Sequence, residues 1–378
     1  MTTSELQAGQ ESAVARKFAI SFRWSSRKVS AALLAPIVGV AFASVLIQAY
    51  GFQGLPTIWV GLVSAVSTPA AIASTLAWSL PLIPAVLGVM IAFRVGVYSL
   101  AAEGQIYAGA FAAAMVGALL PVAAPAVHQG LAVLAAASVG AVISFVLGWL
   151  YAVWKVDILA TLLASFILVG LCIYLGTGPL NDASSPAPAA TAPIAGTARF
   201  GLILEKSQLT WAVLPVVATV VVIWWLVQHS ALGYKWRVVG SSPGYASAIG
   251  IDVARVQITG MVLSGALCGF SGSILVLTTM GRFSADIGHG IGWLAIMIAL
   301  IARLKVGSAL IWTLAYAVMQ SASRRIDQIA GVPTDMSVMV ICAVLITATC
   351  SPAIVSIIAS GWTRLRVPRR KGTNNGMA

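Results

Sequence analysis

The chain has 378 residues and a net charge of +12, yet 60% of its residues are hydrophobic and only 8% are charged. A soluble globular domain usually carries about 25% charged residues, so this composition excludes that class. The apolar residues form long unbroken runs instead of the alternating segments of a membrane barrel. The sequence therefore predicts an all-α polytopic bundle of transmembrane helices.

The apolar runs predict about ten membrane spans along the chain. The runs at 105–120 and 290–303 are short for a full crossing. An eleventh apolar stretch, 57–74, is interpreted as a re-entrant or interfacial helix on the outer side, since an added span would break the charge pattern described below. The predicted spans are 30–50, 76–93, 105–120, 130–152, 157–178, 209–228, 256–280, 290–303, 306–322 and 336–359.

The basic residues predict the orientation, because Lys and Arg concentrate in cytoplasmic loops. With both termini inside, 17 of the 22 Lys and Arg lie on the cytoplasmic side and 5 lie outside. This predicts a basic cytoplasmic tail at 1–29, a transmembrane domain at 30–359 and a second basic cytoplasmic tail at 360–378. The basic tails are explained by topology and by contact with anionic lipid, and they require no nucleic acid.

The two longest connections differ in kind. The outer one, 179–208, is rich in Pro, Ala and Ser and is expected to be a solvated, largely irregular loop. The inner one, 229–255, contains Ser242-Pro243, which is typical of a helix start, and Gly250, which is typical of a helix stop. We expect a short helix on the cytoplasmic face there, with an ordinary capped loop as the alternative.

One acidic residue stands out by its position. Glu103 lies at the inner end of a predicted span, where an ionisable group needs a partner or a function. It either forms a structural latch, with Arg94 or with backbone N–H groups, or contacts a solute. Gly265 and Gly269 form a GxxxG pair, a pattern that permits close helix packing in membranes.

The sequence lacks the common motifs of enzymes and metal sites. The sequence has no G-x-x-x-x-G-K-[ST] phosphate loop, no GxSxG motif and no metal-ligand spacing of Cys and His. The chain is therefore expected to be non-catalytic, with no cofactor and no bound metal. If ATP drives it, a separate subunit must hydrolyse the ATP.

Three segments resemble the permease subunits of bacterial ABC importers of the branched-chain amino acid and ribose type, and most closely their simple-sugar and nucleoside branch. The first is 93–110, FRVGVYSLAAEGQIYAGA, which departs from the family's pattern at Tyr98, Ser99 and Ala101. The second is 239–251, where Ser241, Ser242, Tyr245 and Ala248 depart. The third is 264–283, which ends in Gly-Arg-Phe.

The resemblance implies two groups of functional residues. The group expected to couple the chain to an ATPase comprises Gly240, Ser242, Pro243, Ala246, Gly250 and Ile251. The group expected to belong to the solute pathway or its structural motif comprises Arg94, Glu103, Gly104, Gln105, Arg282 and Phe283.

The resemblance also implies the function and the partners. The chain would form the path for a small polar solute, a nucleoside or a simple sugar, across the bacterial inner membrane. Its partners would be a cytoplasmic ABC ATPase, a second related permease subunit or a second copy of this chain, and an extracytoplasmic solute-binding protein. The alternative is a self-contained secondary carrier, which should show ionisable residues or broken helices at mid-membrane for ion coupling.

Overall fold

The computed structural model describes residues 54–330, apart from Pro121, 183–189, 204–206 and His289, together with Ser44 and Gln48. The predicted first span, 30–50, and last span, 336–359, thus lie almost wholly or wholly outside the described residues, as do both basic tails. The packing reported below is that of one compact unit, Leu62–Ala322.

The described part of the chain is helical, with isolated β-bridges but no β-strand, which confirms the all-α prediction. A π-helical turn, Leu275–Met280, extends the ninth helix. The α-helices are α1 (Gly54–Val66), α2 (Pro69–Arg94), α3 (Ala102–Leu119), α4 (Pro125–Trp154), α5 (Ile158–Thr177), α6 (Val213–His229), α7 (Ala231–Ser241), α8 (Pro243–Ala248), α9 (Val253–Ile274), α10 (Ile291–Ile301) and α11 (Val306–Ala330).

Four of these helices are long and apolar enough to cross a membrane: α2, α4, α5, and α9 with its π-helical turn. A fifth span results if α6 and α7, which bend by 67° at their junction, are taken as one. Helix α10 is apolar but only 11 residues long. The described helices thus support a polytopic membrane protein with four or five spans in this region.

Helix α9 lies at the centre of the bundle, and glycines permit its close contacts. A Cβ on Gly265 or Gly269 would overlap the α4 backbone at Gly140 and Ala136, respectively. A Cβ on Gly272 would likewise overlap the α3 backbone at Ile106. Close packing of this kind is the usual source of helix association where lipid provides no hydrophobic drive.

The helices differ in how much of their surface the bundle covers. Within the apolar windows, 78% of the residues of α2 and 83% of those of α9 are buried. The corresponding values for α4 and α5 are only 22% and 17%. Large apolar side chains such as Leu134 on α4 and Ile167 on α5 are more than half exposed, so these two helices present a lipid-compatible surface.

The stretch 57–74, predicted as one interfacial or re-entrant helix, contains a helix boundary. Helix α1 ends at Val66, and Thr68 caps α2 by accepting a hydrogen bond from the Ala71 amide at 3.1 Å. Pro69 then occupies the first turn of α2, where its missing N–H costs nothing. The position of α1 relative to a membrane stays a prediction.

The long connection after α5 is irregular, as predicted, but it is not simply a solvated loop. Its described residues contain nothing longer than the 3₁₀ turn Gly196–Ala198. Thr191, Ile194 and Ala198 are nevertheless buried. The Thr191 amide donates to the Phe283 carbonyl at 3.0 Å, and the Phe200 amide donates to the Leu277 carbonyl at 3.1 Å. The connection therefore covers the end of α9.

Candidate functional site

The chain between α2 and α3 is non-helical and mostly buried. Residues 97–101 belong to no helix, and Val97, Ser99 and Ala101 are buried. Buried backbone N–H groups need acceptors, and here hydroxyl groups one turn apart on α5 supply two of them. Thr161 accepts from the Leu100 amide at 3.1 Å, and Ser165 accepts from the Gly104 amide at 2.8 Å. Helix α3 therefore starts inside the bundle.

Glu103, in the first turn of α3, joins that helix to α10. Its side chain is 9% exposed, and its Oε2 atom accepts a hydrogen bond from the Gly292 amide at 2.6 Å. Gly292 lies in the first turn of α10, so the carboxylate also faces the positive end of that helix dipole. Of the partners considered for the latch, the structure shows a backbone N–H group.

The loop before α10 fits tightly against this carboxylate. A Cβ on Gly288 would come within 2.6 Å of Glu103 Oε1 and would overlap the ring of Tyr107. The Tyr107 hydroxyl, one turn along α3 from Glu103, donates to the Ala285 carbonyl at 3.0 Å. Glu103 and Tyr107 thus bind Gly292 and Ala285, respectively, from the same face of α3.

The other predicted site residues of the first motif are buried or half-buried. Gly104 permits α5 to pack closely against α3, since a Cβ at position 104 would lie 2.8 Å from the Ser165 backbone. The Gln105 side chain is 2% exposed. Arg94, the last residue of α2, is half-buried and lies near another cation, Arg237 of α7.

Phe283 and Arg282, from the end of the third motif, follow the π-helical turn. The Phe283 ring is fully buried and makes edge-to-face contacts with Tyr107 and Phe111, at centroid distances of 6.3 and 5.3 Å. Such contacts add to the energy of burial. Arg282 is half-buried. This motif therefore anchors the end of α9 to α3, while Tyr107 also holds the loop that leads to α10.

The inner connection, 229–255, which contains the second motif, forms two short helices where the sequence predicted one. The predicted helix is present as α8: Ser242 caps it by accepting from the Tyr245 amide at 3.4 Å, and Pro243 is its first residue. Gly250 follows with φ +82°, a conformation that favours glycine. Helix α7 was not predicted. It begins at the Ser230 cap and buries Gly233, Trp236 and Val239, which are spaced three residues apart.

A backbone contact connects these helices to α2. Gly240, in the last turn of α7, lies directly on the Arg94 carbonyl, which a Cβ at position 240 would overlap. Gly96, with φ +83°, faces Gly240 from the other side of this contact. Glycine at both positions is therefore required for α7 to reach the end of α2.

Ala246 differs from the expectation that it contacts a partner subunit. Its side chain is 0% exposed, so it packs within this chain and anchors α8. Ile251, whose amide donates to the Ala246 carbonyl at 3.0 Å, is half-buried and packs against the same core. The exposed residues of this segment include Tyr245, at 60%, and Ile249, at 46%.

Some residues of the site were not identified from the sequence. Thr161 and Ser165 are four residues apart on α5, a spacing that places two hydroxyl groups on one face. Tyr107 is likewise four residues from Glu103. These spacings were available signals, but the sequence does not show which helix each face contacts. Across the described residues, no cluster of three or more His, Cys, Asp or Glu could hold a metal ion.

Comparison with known proteins shows similarity over most of the chain, beyond the three motifs. A family model described as the permease component of branched-chain amino acid transport systems matches residues 71–349. A glucose ABC transporter permease protein of Haloferax volcanii is 28% identical, over 80% of this chain and 82% of its own length. A guanosine ABC transporter permease protein of Bacillus subtilis is 25% identical, over 85% and 93%.

A third relative carries a different solute in its name. A probable riboflavin import permease protein of Treponema pallidum is 30% identical, over 63% of each chain. No solved structure matches the chain.

Proposed function

The chain belongs to the family of branched-chain amino acid transport permease components, and we propose that it forms the membrane pathway of an ATP-driven ABC importer. The observation that carries this proposal is the family match over 71–349, which includes all three motifs. In this role the chain is a non-catalytic subunit in the bacterial inner membrane. Ten spans with both termini in the cytoplasm remain the topology that the basic residues favour.

The solute that we propose is a nucleoside or a simple sugar. The support comes from the relatives, whose names specify glucose and guanosine. The riboflavin importer subunit widens the range of related solutes, but these three solutes all carry several hydroxyl groups. An uncharged polyhydroxylated solute also agrees with a site whose buried carboxylate is already bound to the chain's own backbone.

The coupling surface that we propose is the exposed face of α8 and the turn after it. Tyr245 and Ile249 are apolar or aromatic and exposed, whereas Ala246 holds the helix to the chain. Exposed aromatic side chains are frequent anchors at protein interfaces. A cytoplasmic ABC ATPase is the partner expected there. A second permease subunit, related or identical, and an extracytoplasmic solute-binding protein complete the proposed importer.

Uptake and copurification test the proposal together. We expect the affinity-tagged chain to copurify with an ABC ATPase and, in proteoliposomes with its partners, to accumulate guanosine or glucose only when ATP is present. Replacing both Tyr245 and Ile249 with Ala should abolish ATP-driven uptake, because the ATPase loses its apolar anchors. Leu163→Ala is the matched control, since Leu163 is 62% exposed but lies on α5, far along the chain from α8.

Two results would contradict this assignment. ATP-independent uptake that follows an ion gradient, by the chain alone, would support the secondary carrier. Equal loss of uptake in the Leu163 variant and in the α8 variant would show that exposed apolar residues matter for folding or insertion and not for ATPase coupling.

A further inference from the structure

Two arginines lie together where α7 meets the end of α2. Arg94 is the last residue of α2, and Arg237 precedes Gly240 by three residues, nearly one turn of α7. Because Gly240 lies on the Arg94 carbonyl, the backbone segments that carry the two arginines meet at this contact. Their charges are close enough to repel each other. Arg94 is half-buried and Arg237 is exposed.

No counter-ion for this pair is present among the residues that the structure describes. Neither guanidinium group makes an ion pair or a side-chain hydrogen bond there, and Asp252 instead pairs with Arg255 at 3.0 Å. The Glu103 carboxylate is bound to the Gly292 amide. Two like charges held together by backbone packing destabilise the isolated chain, and an external anion between them removes that cost.

We propose that Arg94 and Arg237 together bind a carboxylate side chain of the partner ATPase. This inference rests on the proposed function. Guanidinium groups suit the role because their planar arrays of donors match a carboxylate in two-point contacts.

The position of the pair favours the ATPase over a lipid phosphate. Gly240 is separated from Pro243, the first residue of α8, by two residues, so the pair is continuous with the proposed coupling surface. Arg94 ends a helix whose apolar window is 78% buried in the bundle, whereas the helices with a lipid-compatible surface are α4 and α5. A bound carboxylate would connect the ATPase directly to α2 as well as to α8.

Charge reversal with a matched control tests the inference. The variant is Arg237→Glu, and the control is Lys235→Glu, which makes the same change of charge on an exposed residue of the same helix two positions away. Arg237→Lys keeps the charge but loses the fork of donors. The probe is the ABC ATPase that copurifies with the wild-type chain, recognised by mass spectrometry from its phosphate-loop peptide.

Binding of that purified ATPase is measured with the complete chain in nanodiscs. One set contains phosphatidylcholine alone, and a second set also contains phosphatidylglycerol. We expect Arg237→Glu to raise the apparent Kd at least about tenfold in both sets, and Lys235→Glu to change it by less than about twofold. Arg237→Lys should fall between wild type and the Glu variant. Rising salt should weaken the wild type more than it weakens Arg237→Glu.

Three outcomes would overturn the inference. Equal effects of the two Glu variants would mean that only the general positive field of α7 matters. A loss with Arg237→Glu only in phosphatidylglycerol would assign the pair to lipid. Unchanged binding by Arg237→Glu would show that the two arginines do not bind the ATPase, and it would leave the proposed function intact. A wild-type chain that copurifies with no ATPase would instead contradict the proposed function itself.

Discussion

The hydrogen bond from the Gly292 amide to Glu103 can be weakened without changing the shape of the side chain. Glu103→Gln keeps an acceptor oxygen but removes the charge. The bond is buried and 2.6 Å long, and its donor lies in the first turn of α10. A hydrogen bond to a charged group contributes about 1.5–3 kcal/mol, against about 0.5–1.5 kcal/mol for a neutral one. We therefore expect Gln to lower the free energy of unfolding by about 1–2 kcal/mol.

Truncation of the same side chain should cost more. Glu103→Ala leaves the Gly292 amide without its acceptor and opens a cavity between α3 and α10. An unsatisfied buried donor costs about 1–3 kcal/mol, and the lost packing adds to that cost. The predicted order of stability is therefore Glu, then Gln, then Ala.

Native thiols provide the assay. Cys172 and Cys268 are buried, so a thiol-reactive fluorogenic dye labels them only as the bundle unfolds. Cys342 and Cys350 lie outside the described residues and are replaced by Ser in every variant. Thermal scans then give the order of stability, and uptake is measured on the same preparations.

Two results would refute the reasoning. Glu103→Gln with wild-type thermal stability and wild-type uptake would show that the charge contributes nothing to the latch. Wild-type stability with abolished uptake would assign Glu103 to solute contact, the alternative that the sequence left open.

Two further predictions concern packing and topology. Gly265→Ala should prevent or severely weaken folding, because its Cβ would overlap Gly140 and Ser144 of α4. Gly130→Ala is the control and should be tolerated, since a Cβ there would meet nothing within 4 Å. Equal yields of folded protein from the two variants would argue against the α4–α9 contact. In a cysteine-free background, Ala195→Cys should react with an impermeant thiol reagent in intact cells and Ser247→Cys should not, since the basic residues place 179–208 outside and 229–255 inside. Reversed labelling would invert the predicted topology.

The sequence predicted those features that depend on local patterns. Apolar runs indicated the long helices, and the cap and stop residues indicated α8. Helix α7 was missed because its buried face has only three residues, one of them Gly233, and its exposed face carries charge. The predicted spans 76–93 and 105–120 leave a connection between them, and the non-helical segment 97–101 lies in it, but the burial of that segment was not predicted.

Long-range contacts could not be predicted from the sequence in this way. Glu103 and Gly292 are 189 residues apart, and periodicity shows which side of a helix is buried but not what covers it. The burial of Thr191 and Ile194 was unexpected for the same reason, since Pro, Ala and Ser are typical of exposed loops. The burial of Ala246 within its own chain was also not predicted, because a small residue permits close approach to its own chain as readily as to a partner.

The partner of Glu103 also bears on the two classes of function. In many ion-coupled carriers a carboxylate within the membrane exchanges protons or cations as the protein changes conformation. Glu103 is instead bound to a helix N-terminus, in a space so tight that a Cβ on Gly288 would come within 2.6 Å of its other oxygen. If Glu103 bound a proton or cation instead, its hydrogen bond to the Gly292 amide would be lost and the start of α10 would be released from α3. Cation exchange at this carboxylate would therefore destabilise the fold. Glu103 is therefore a poor candidate for an ion-coupling group, which agrees with an importer whose energy comes from a separate ATPase.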